Sequence, residues 1–231
     1  MLYDSSVISN FDSKWFDAAH WQASGALEGE AQGRGRTLFF ASAQLRGALR
    51  HYHRGGLVAR LLNDRYWFAN EASTRPFAEF ALTWQLYSRG LPVAAPLACL
   101  YQRRGLFYTA DLITARLNAS ESVAERLTRE SLPLSVWVDV GRCIRRFHDG
   151  GAYHADLNAH NVLLVNEATV YLIDFDRGRL RGPGLWRDAN LLRLRRSLLK
   201  ISDRLPPGRF SDPDWQSLLA GYRSAPEPPH S

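Results

Sequence analysis

Through the first half of the chain, apolar residues come in short runs broken by polar turns. Residues 37–40, 45–51 and 57–62 are three such runs, and the last two are separated by Tyr52-His53-Arg54-Gly55-Gly56. Apolar runs split by a Gly-Gly turn predict an antiparallel hairpin. A different period follows. Phe77, Phe80, Ala81, Trp84 and Tyr87 recur at helical spacing after Pro76, which suits a first turn, and Gly90 closes the segment. Residues 97–101 and 106–112 flank Arg103-Arg104-Gly105 and predict a second hairpin. The first thirty or so residues show no clear period.

The second half is patterned as helix. Val136, Val140, Cys143, Ile144 and Phe147 predict a helix of about three turns that ends near Gly150-Gly151. A polar stretch over residues 154–161 precedes two short strands, 162–165 and 170–173, with a turn at 166–169. A long helical pattern then covers about 186–205. The fold class expected is α+β and bilobal. Residues 1–113 form a sheet-rich N-lobe with one helix, 114–118 a connector, and 119–231 a helical C-lobe. The tail Ala225-Pro226-Glu227-Pro228-Pro229 has the composition of a disordered segment.

Composition narrows the class. The 231 residues suffice for one fold of two lobes, and no run of eighteen apolar residues predicts a transmembrane helix. The first ten residues lack the basic-then-apolar order of a secretory signal. Cys99 and Cys143 are far apart in apolar surroundings and read as buried thiols in a reducing compartment. The net charge is +6, carried almost wholly by arginine, since Lys14 and Lys200 are the only lysines. Such a surface suits an anionic partner, whether phosphate, nucleic acid or an acidic membrane face. No interleaving of aromatic and basic residues offers a base-stacking platform, so no nucleic-acid partner is expected.

The chemistry sits in Tyr153-His154-Ala155-Asp156-Leu157-Asn158-Ala159-His160-Asn161 and, after the strand pair, Asp174-Phe175-Asp176. Phosphoryl transfer to a hydroxyl needs one carboxylate to orient the attacking group and take its proton. It also needs oxygen ligands to hold Mg²⁺ against the phosphates. Asp156 is the candidate base, and Asn161 and Asp174 are the candidate metal ligands. Their spacing matches the kinase pattern H-x-D-x-x-x-x-N followed by a strand-borne D-F. ATP and Mg²⁺ are the co-substrate and metal that pattern calls for, and the bilobal α+β fold expected is therefore protein-kinase-like.

The first half offers weaker candidates. The glycines of Gly33-Arg34-Gly35 let backbone N–H groups approach ATP phosphates, or form an ordinary turn. Leu57-Val58-Ala59-Arg60 has the V-A-x-K shape with Arg60 in place of lysine. Glu79 on the 76–89 helix is its natural partner and Glu71 a competing one. Ala155 stands where protein kinases carry an arginine that reads an activation-loop phosphate, Asp176 replaces the glycine of D-F-G, and no A-P-E follows. These departures favour a small or lipid-linked acceptor over a protein.

His154-Ala155-Asp156-Leu157-Asn158-Ala159-His160-Asn161 with Leu172-Ile173-Asp174-Phe175-Asp176-Arg177-Gly178 resembles the lipopolysaccharide kinases. Within them the likeness is to the branch acting on 3-deoxy-D-manno-octulosonic acid (Kdo), and it runs from about Gly33 to Leu199. The resemblance implies ATP-dependent phosphorylation of the 4-hydroxyl of Kdo on a lipid A precursor, with Asp156 as base. It also implies a peripheral enzyme on the cytoplasmic side of the inner membrane, in contact with anionic lipid and with no obligate protein partner. A heptose or other small-molecule kinase with the same loop, and a non-catalytic binding protein of the same fold, are the alternatives. Leu191, Leu194, Leu198, Ile201 and Leu205 form one face of the last long helix, with Arg193, Arg196, Lys200 and Arg204 opposite. That face lies either on lipid or in the protein core.

Overall fold

The computed structural model describes residues 1–8, 11–32, 36–43, 45–53, 64–165 and 169–224. The chain divides into two compact units, one of residues 1–84 and 94–116, the other of residues 85–93 and 117–231.

The first unit is built on an antiparallel sheet. Its strands are β1 (Leu2–Tyr3), β2 (Leu27–Gln32), β3 (Arg36–Ala41), β4 (Arg46–His51), β5 (Tyr66–Trp67), β6 (Pro96–Arg104) and β7 (Phe107–Ala115). They lie in the order β1-β6-β7-β4-β3-β2, with β5 also on β7. The hairpin expected around Gly105 is present: β6 pairs with β7, and Gly105 takes φ +64° in the turn. The other expected hairpin is not built on its first arm: β4 pairs with β3 along one edge and with β7 along the other, because the long-range partner β7 takes the edge that a local turn would fill, and residues 54–63, with the expected second arm, lie outside the described residues.

Period-two alternation gives this sheet two apolar faces. On one, Leu38, Phe40, Leu49 and Ile113 are buried with Ile8, Trp15 and Trp21 from the N-terminal segment. The Trp21 ring stacks on Phe40 at 3.8 Å between centroids. A short 3-10 turn at Ser13–Phe16 and helix α1 (Ala18–Ala23) deliver the two tryptophans, and each starts on an aspartate that caps its backbone, Asp12 and Asp17. On the other face Tyr52, Cys99, Tyr108, Ala110 and Leu112 are buried with Phe77. Phe77 comes from helix α2 (Arg75–Ser88), which begins one residue before the expected Pro76.

The second unit is mostly helical. It contains α3 (Val123–Arg129), α4 (Leu134–Asp149), α5 (Trp186–Ser202) and α6 (Asp212–Arg223). Three short strands, β8 (Ser120–Ser122), β10 (Val162–Val165) and β11 (Thr169–Leu172), form one antiparallel sheet, and β9 (Ala152–Tyr153) pairs with β12 (Arg179–Leu180). Helix α4 runs longer than three turns and buries Trp137, Val140, Cys143, Ile144 and Phe147 along one stripe. In α5 the stripe Leu191, Leu194 and Leu198 is buried, so that face packs into the core. The reciprocal capping boxes Ser122/Glu125 and Ser211/Asp214 start α3 and α6.

Helices α4 and α6 touch backbone to backbone. A Cβ at Gly141 would lie 2.0 Å from the Leu218 carbonyl oxygen, and one at Gly221 would lie 2.0 Å from the Val138 carbonyl oxygen. Neither carbonyl can rotate away as a side chain can, so only glycine allows the approach. Gly221→Ala is therefore expected to cost about 1–3 kcal/mol and to lower the thermal midpoint by roughly 4–10 °C. A midpoint within about 1 °C of the parent would contradict this packing.

Candidate active site

The loop from His154 to Asn161 follows β9 and is tied down by its own side chains. The Asp156 N–H donates to His154 Nδ1 at 3.1 Å, which makes Nδ1 an acceptor and leaves the proton on Nε2. Nε2 then donates to the Ile173 carbonyl oxygen at 2.9 Å. His154 is buried against Phe175, 4.8 Å between ring centroids, and Phe175 stacks in turn on Phe147. Burial holds the imidazole below its ordinary value, so it stays neutral and keeps its acceptor nitrogen.

The far end of the loop folds back on the same point. Asn161 Nδ2 donates to the Asp156 carbonyl oxygen at 3.0 Å, and Asn158 Nδ2 donates to that oxygen at 2.9 Å. The Ile173 N–H donates to the Asn161 carbonyl oxygen at 3.1 Å. These bonds join Asp156, Asn161 and the strand leading to Asp174. Asp174 takes φ +63°, a left-handed conformation that costs a non-glycine residue about 1–3 kcal/mol and concentrates at functional positions. The three residues expected at the reaction centre are therefore brought together.

Helix α5 supports the loop from outside. Asn190 Oδ1 accepts from the His154 N–H at 3.3 Å, and its Nδ2 donates to the His154 carbonyl at 2.9 Å. Arg193 Nη1 donates to Asp156 Oδ1 at 3.0 Å. The Ala159 N–H donates to Ser197 Oγ at 3.2 Å.

Asn161 and Asp174 fit Mg²⁺. Both offer hard oxygens, and the Asn161 amide is oriented by its Nδ2 bond to Asp156. Among the described residues no group of three or more His, Cys, Asp and Glu side chains could hold a metal. Two protein ligands suffice when phosphates and water supply the rest.

In the first unit, Glu79 on α2 is buried and meets a cation from the sheet. Arg50 Nη2, on β4, donates to both Glu79 carboxylate oxygens at 2.6 Å, and Tyr52 Oη donates to Oε2 at 2.5 Å. Arg50 also lies over the Tyr52 ring, 4.6 Å from its centroid. Burial, then the Glu79 charge, pushes the Tyr52 phenol well above its ordinary value, so it remains a donor. This is a strand-to-helix ion pair of the kind sought at Arg60. Arg60, Gly33 and Gly35 lie outside the described residues, and Glu71 is exposed in the turn before α2, where its carbonyl accepts from Thr74. Arg50 escaped the sequence reading because it sits in Arg50-His51-Tyr52-His53, which matches no lysine motif. Arg193 and Asn190 escaped it because their partners are more than thirty residues away, although the polar 190–193–197 spacing on α5 was visible.

An antiparallel sheet with a helix-borne glutamate on a strand arginine, and a helical unit carrying this loop, define a protein-kinase-like phosphotransferase. The chain belongs to the Lipopolysaccharide kinase (Kdo/WaaP) family, whose sequence profile matches residues 18–222. It is 40% identical over 225 residues to a 3-deoxy-D-manno-octulosonic acid kinase of Vibrio vulnificus strain YJ016, covering 97% of this chain and 94% of that one. It is 40% identical to the protein of that name from Actinobacillus succinogenes, covering 92% and 91% of the two chains. For the one from Haemophilus influenzae strain 86-028NP the identity is 39%, covering 93% and 95%.

Removing one member of a buried ion pair strands the other. Glu79→Ala is expected to lose about 3–5 kcal/mol by chemical denaturation. A loss below about 1 kcal/mol would mean that the pair is not formed in solution.

Proposed function

We propose that this protein transfers the terminal phosphoryl group of ATP to the 4-hydroxyl of a Kdo residue on a lipid A precursor. The observation that carries the reading is the loop in which one histidine and one asparagine tie Asp156 to the segment that leads from β11 to Asp174. The names of the relatives support Kdo as the acceptor sugar.

Asp156 orients the sugar hydroxyl and accepts its proton as the oxygen attacks phosphorus. Asn161 and Asp174 would hold Mg²⁺, whose charge offsets that of the phosphates when it is bound. Arg50, fixed by Glu79, supplies a permanent positive charge from β4. In this proposal Gly33, Gly35 and Arg60 also act on the nucleotide phosphates. The proton leaves the hydroxyl for Asp156, and the bond between the terminal phosphorus and the bridging oxygen breaks to release ADP.

The same proposal puts the protein on the cytoplasmic face of the inner membrane. Among the described residues no helix is long and apolar enough to cross a membrane, so contact would be peripheral. Leu192 and Leu199 of α5 are exposed one heptad apart, and Leu185, a heptad earlier, is 86% exposed. Arg196 and Lys200 lie beside them and are exposed. An apolar stripe edged with cations suits anionic lipid.

One assay tests both parts. The protein would be incubated with labelled ATP, Mg²⁺ and anionic vesicles carrying the lipid A precursor with or without Kdo, and the vesicles then sedimented. Label on the Kdo-bearing lipid alone, with protein in the vesicle pellet, is expected. Label independent of Kdo would overturn the acceptor, and protein left in the supernatant would overturn the membrane contact.

A further inference from the structure

Helix α5 is held on two sides. One stripe, Leu191, Leu194 and Leu198, is buried in the core of its unit. A second stripe, Asn190, Arg193 and Ser197, follows the three-and-four spacing of a single helical face and bonds to the catalytic loop at three successive places. Asn190 is 2% exposed and grips both backbone groups of His154, so the helix cannot shift along the loop without breaking those bonds.

Arg193 differs from its two neighbours on that stripe. They hold backbone, whereas Arg193 holds the carboxylate of Asp156 itself. Its side chain is 46% exposed and that of Asp156 is 23% exposed. A pair this open to water adds little to folding. It does restrict the carboxylate, because the guanidinium comes from a helix fixed by the core and by Asn190. An aspartate has two side-chain torsions to lose, and a misplacement of about 1 Å at a reacting group can cost 10²-fold in rate.

We propose that Arg193 is a positioning residue, which fixes the Asp156 carboxylate in the orientation that meets the acceptor hydroxyl. The inference rests on the reading of Asp156 as the base. It gives α5 a role in turnover that its amphipathic pattern alone does not suggest.

The test compares the parent with Arg193→Met and Arg193→Lys in steady-state transfer to the Kdo-bearing lipid, with thermal midpoints alongside. Arg193→Met is expected to lower kcat by about 10- to 100-fold with KM for ATP within about twofold of the parent. Its thermal midpoint should stay within about 2 °C, since an exposed pair contributes little. Arg193→Lys, which restores a point charge on a flexible stem, should recover part of kcat, at least about fivefold over the methionine variant. Three results would overturn the proposal: kcat retained in Arg193→Met, a loss that falls wholly on KM for the acceptor, or equal losses in both variants with a lowered thermal midpoint. If the parent itself leaves the Kdo-bearing lipid unlabelled, the acceptor reading fails. The slow hydrolysis of ATP, in which the same carboxylate takes a proton from the attacking water, then decides the role of Arg193 with the same variants.

Discussion

The buried imidazole of His154 is the joint on which the candidate reaction centre depends. It accepts from the Asp156 backbone on one nitrogen and donates to the Ile173 carbonyl on the other, and so fixes the loop to the strand that leads to Asp174. Only the neutral ring can do both, because a protonated ring has no acceptor. Burial against Phe175, itself stacked on Phe147, keeps it neutral. A packing feature of the core thus sets the protonation state that the loop geometry requires, and Asn161, folded back onto the Asp156 carbonyl, closes the same arrangement from the other end.

Charge in this protein is mostly arginine, and its use is divided. Many arginines sit in surface pairs, such as Arg145 with Asp149 and Arg142 with Asp139, which contribute little individually. Two are set differently. Arg50 pairs with a nearly inaccessible glutamate, and Arg193 pairs with the candidate base. The planar guanidinium suits both sites, since it binds carboxylate directionally and cannot lose its proton. Lysine is nearly absent, and the strand cation that a lysine supplies in the general kinase pattern is here offered by Arg50.

How far the sequence reveals this depends on whether a feature is local. The 154–161 loop and Asp174 are legible because the chemistry demands fixed residue types at fixed spacing. Helices α2, α4 and α5 and the β6–β7 hairpin are legible because each carries its own hydrophobic period. The N-terminal segment is not, because its anchors are isolated aromatics: Trp15 and Trp21 are buried by long-range packing on Phe40 and Leu38, with no repeat between them. Helices α3 and α6 carry few apolar positions each, and a capping box marks the start of both. The burial of Leu191, Leu194 and Leu198 resolves whether that face meets lipid or core, and the exposed leucines of α5 lie on another stripe. Contacts such as Arg50 with Glu79 and Arg193 with Asp156 span 29 and 37 residues and become visible only in three dimensions.

The central claim is that Asp156 acts on the acceptor while Asp174 acts on the metal, and one comparison separates them. Binding of a fluorescent ATP analogue, with and without Mg²⁺, would be measured beside phosphate transfer in Asp156→Asn and Asp174→Asn. Asp156→Asn is expected to bind the Mg²⁺-nucleotide within about threefold of the parent while losing about 10²–10⁴-fold in transfer. Asp174→Asn is expected to lose the gain in nucleotide affinity that Mg²⁺ brings. Transfer at the parent rate by Asp156→Asn, or an undiminished effect of Mg²⁺ in Asp174→Asn, would contradict the account.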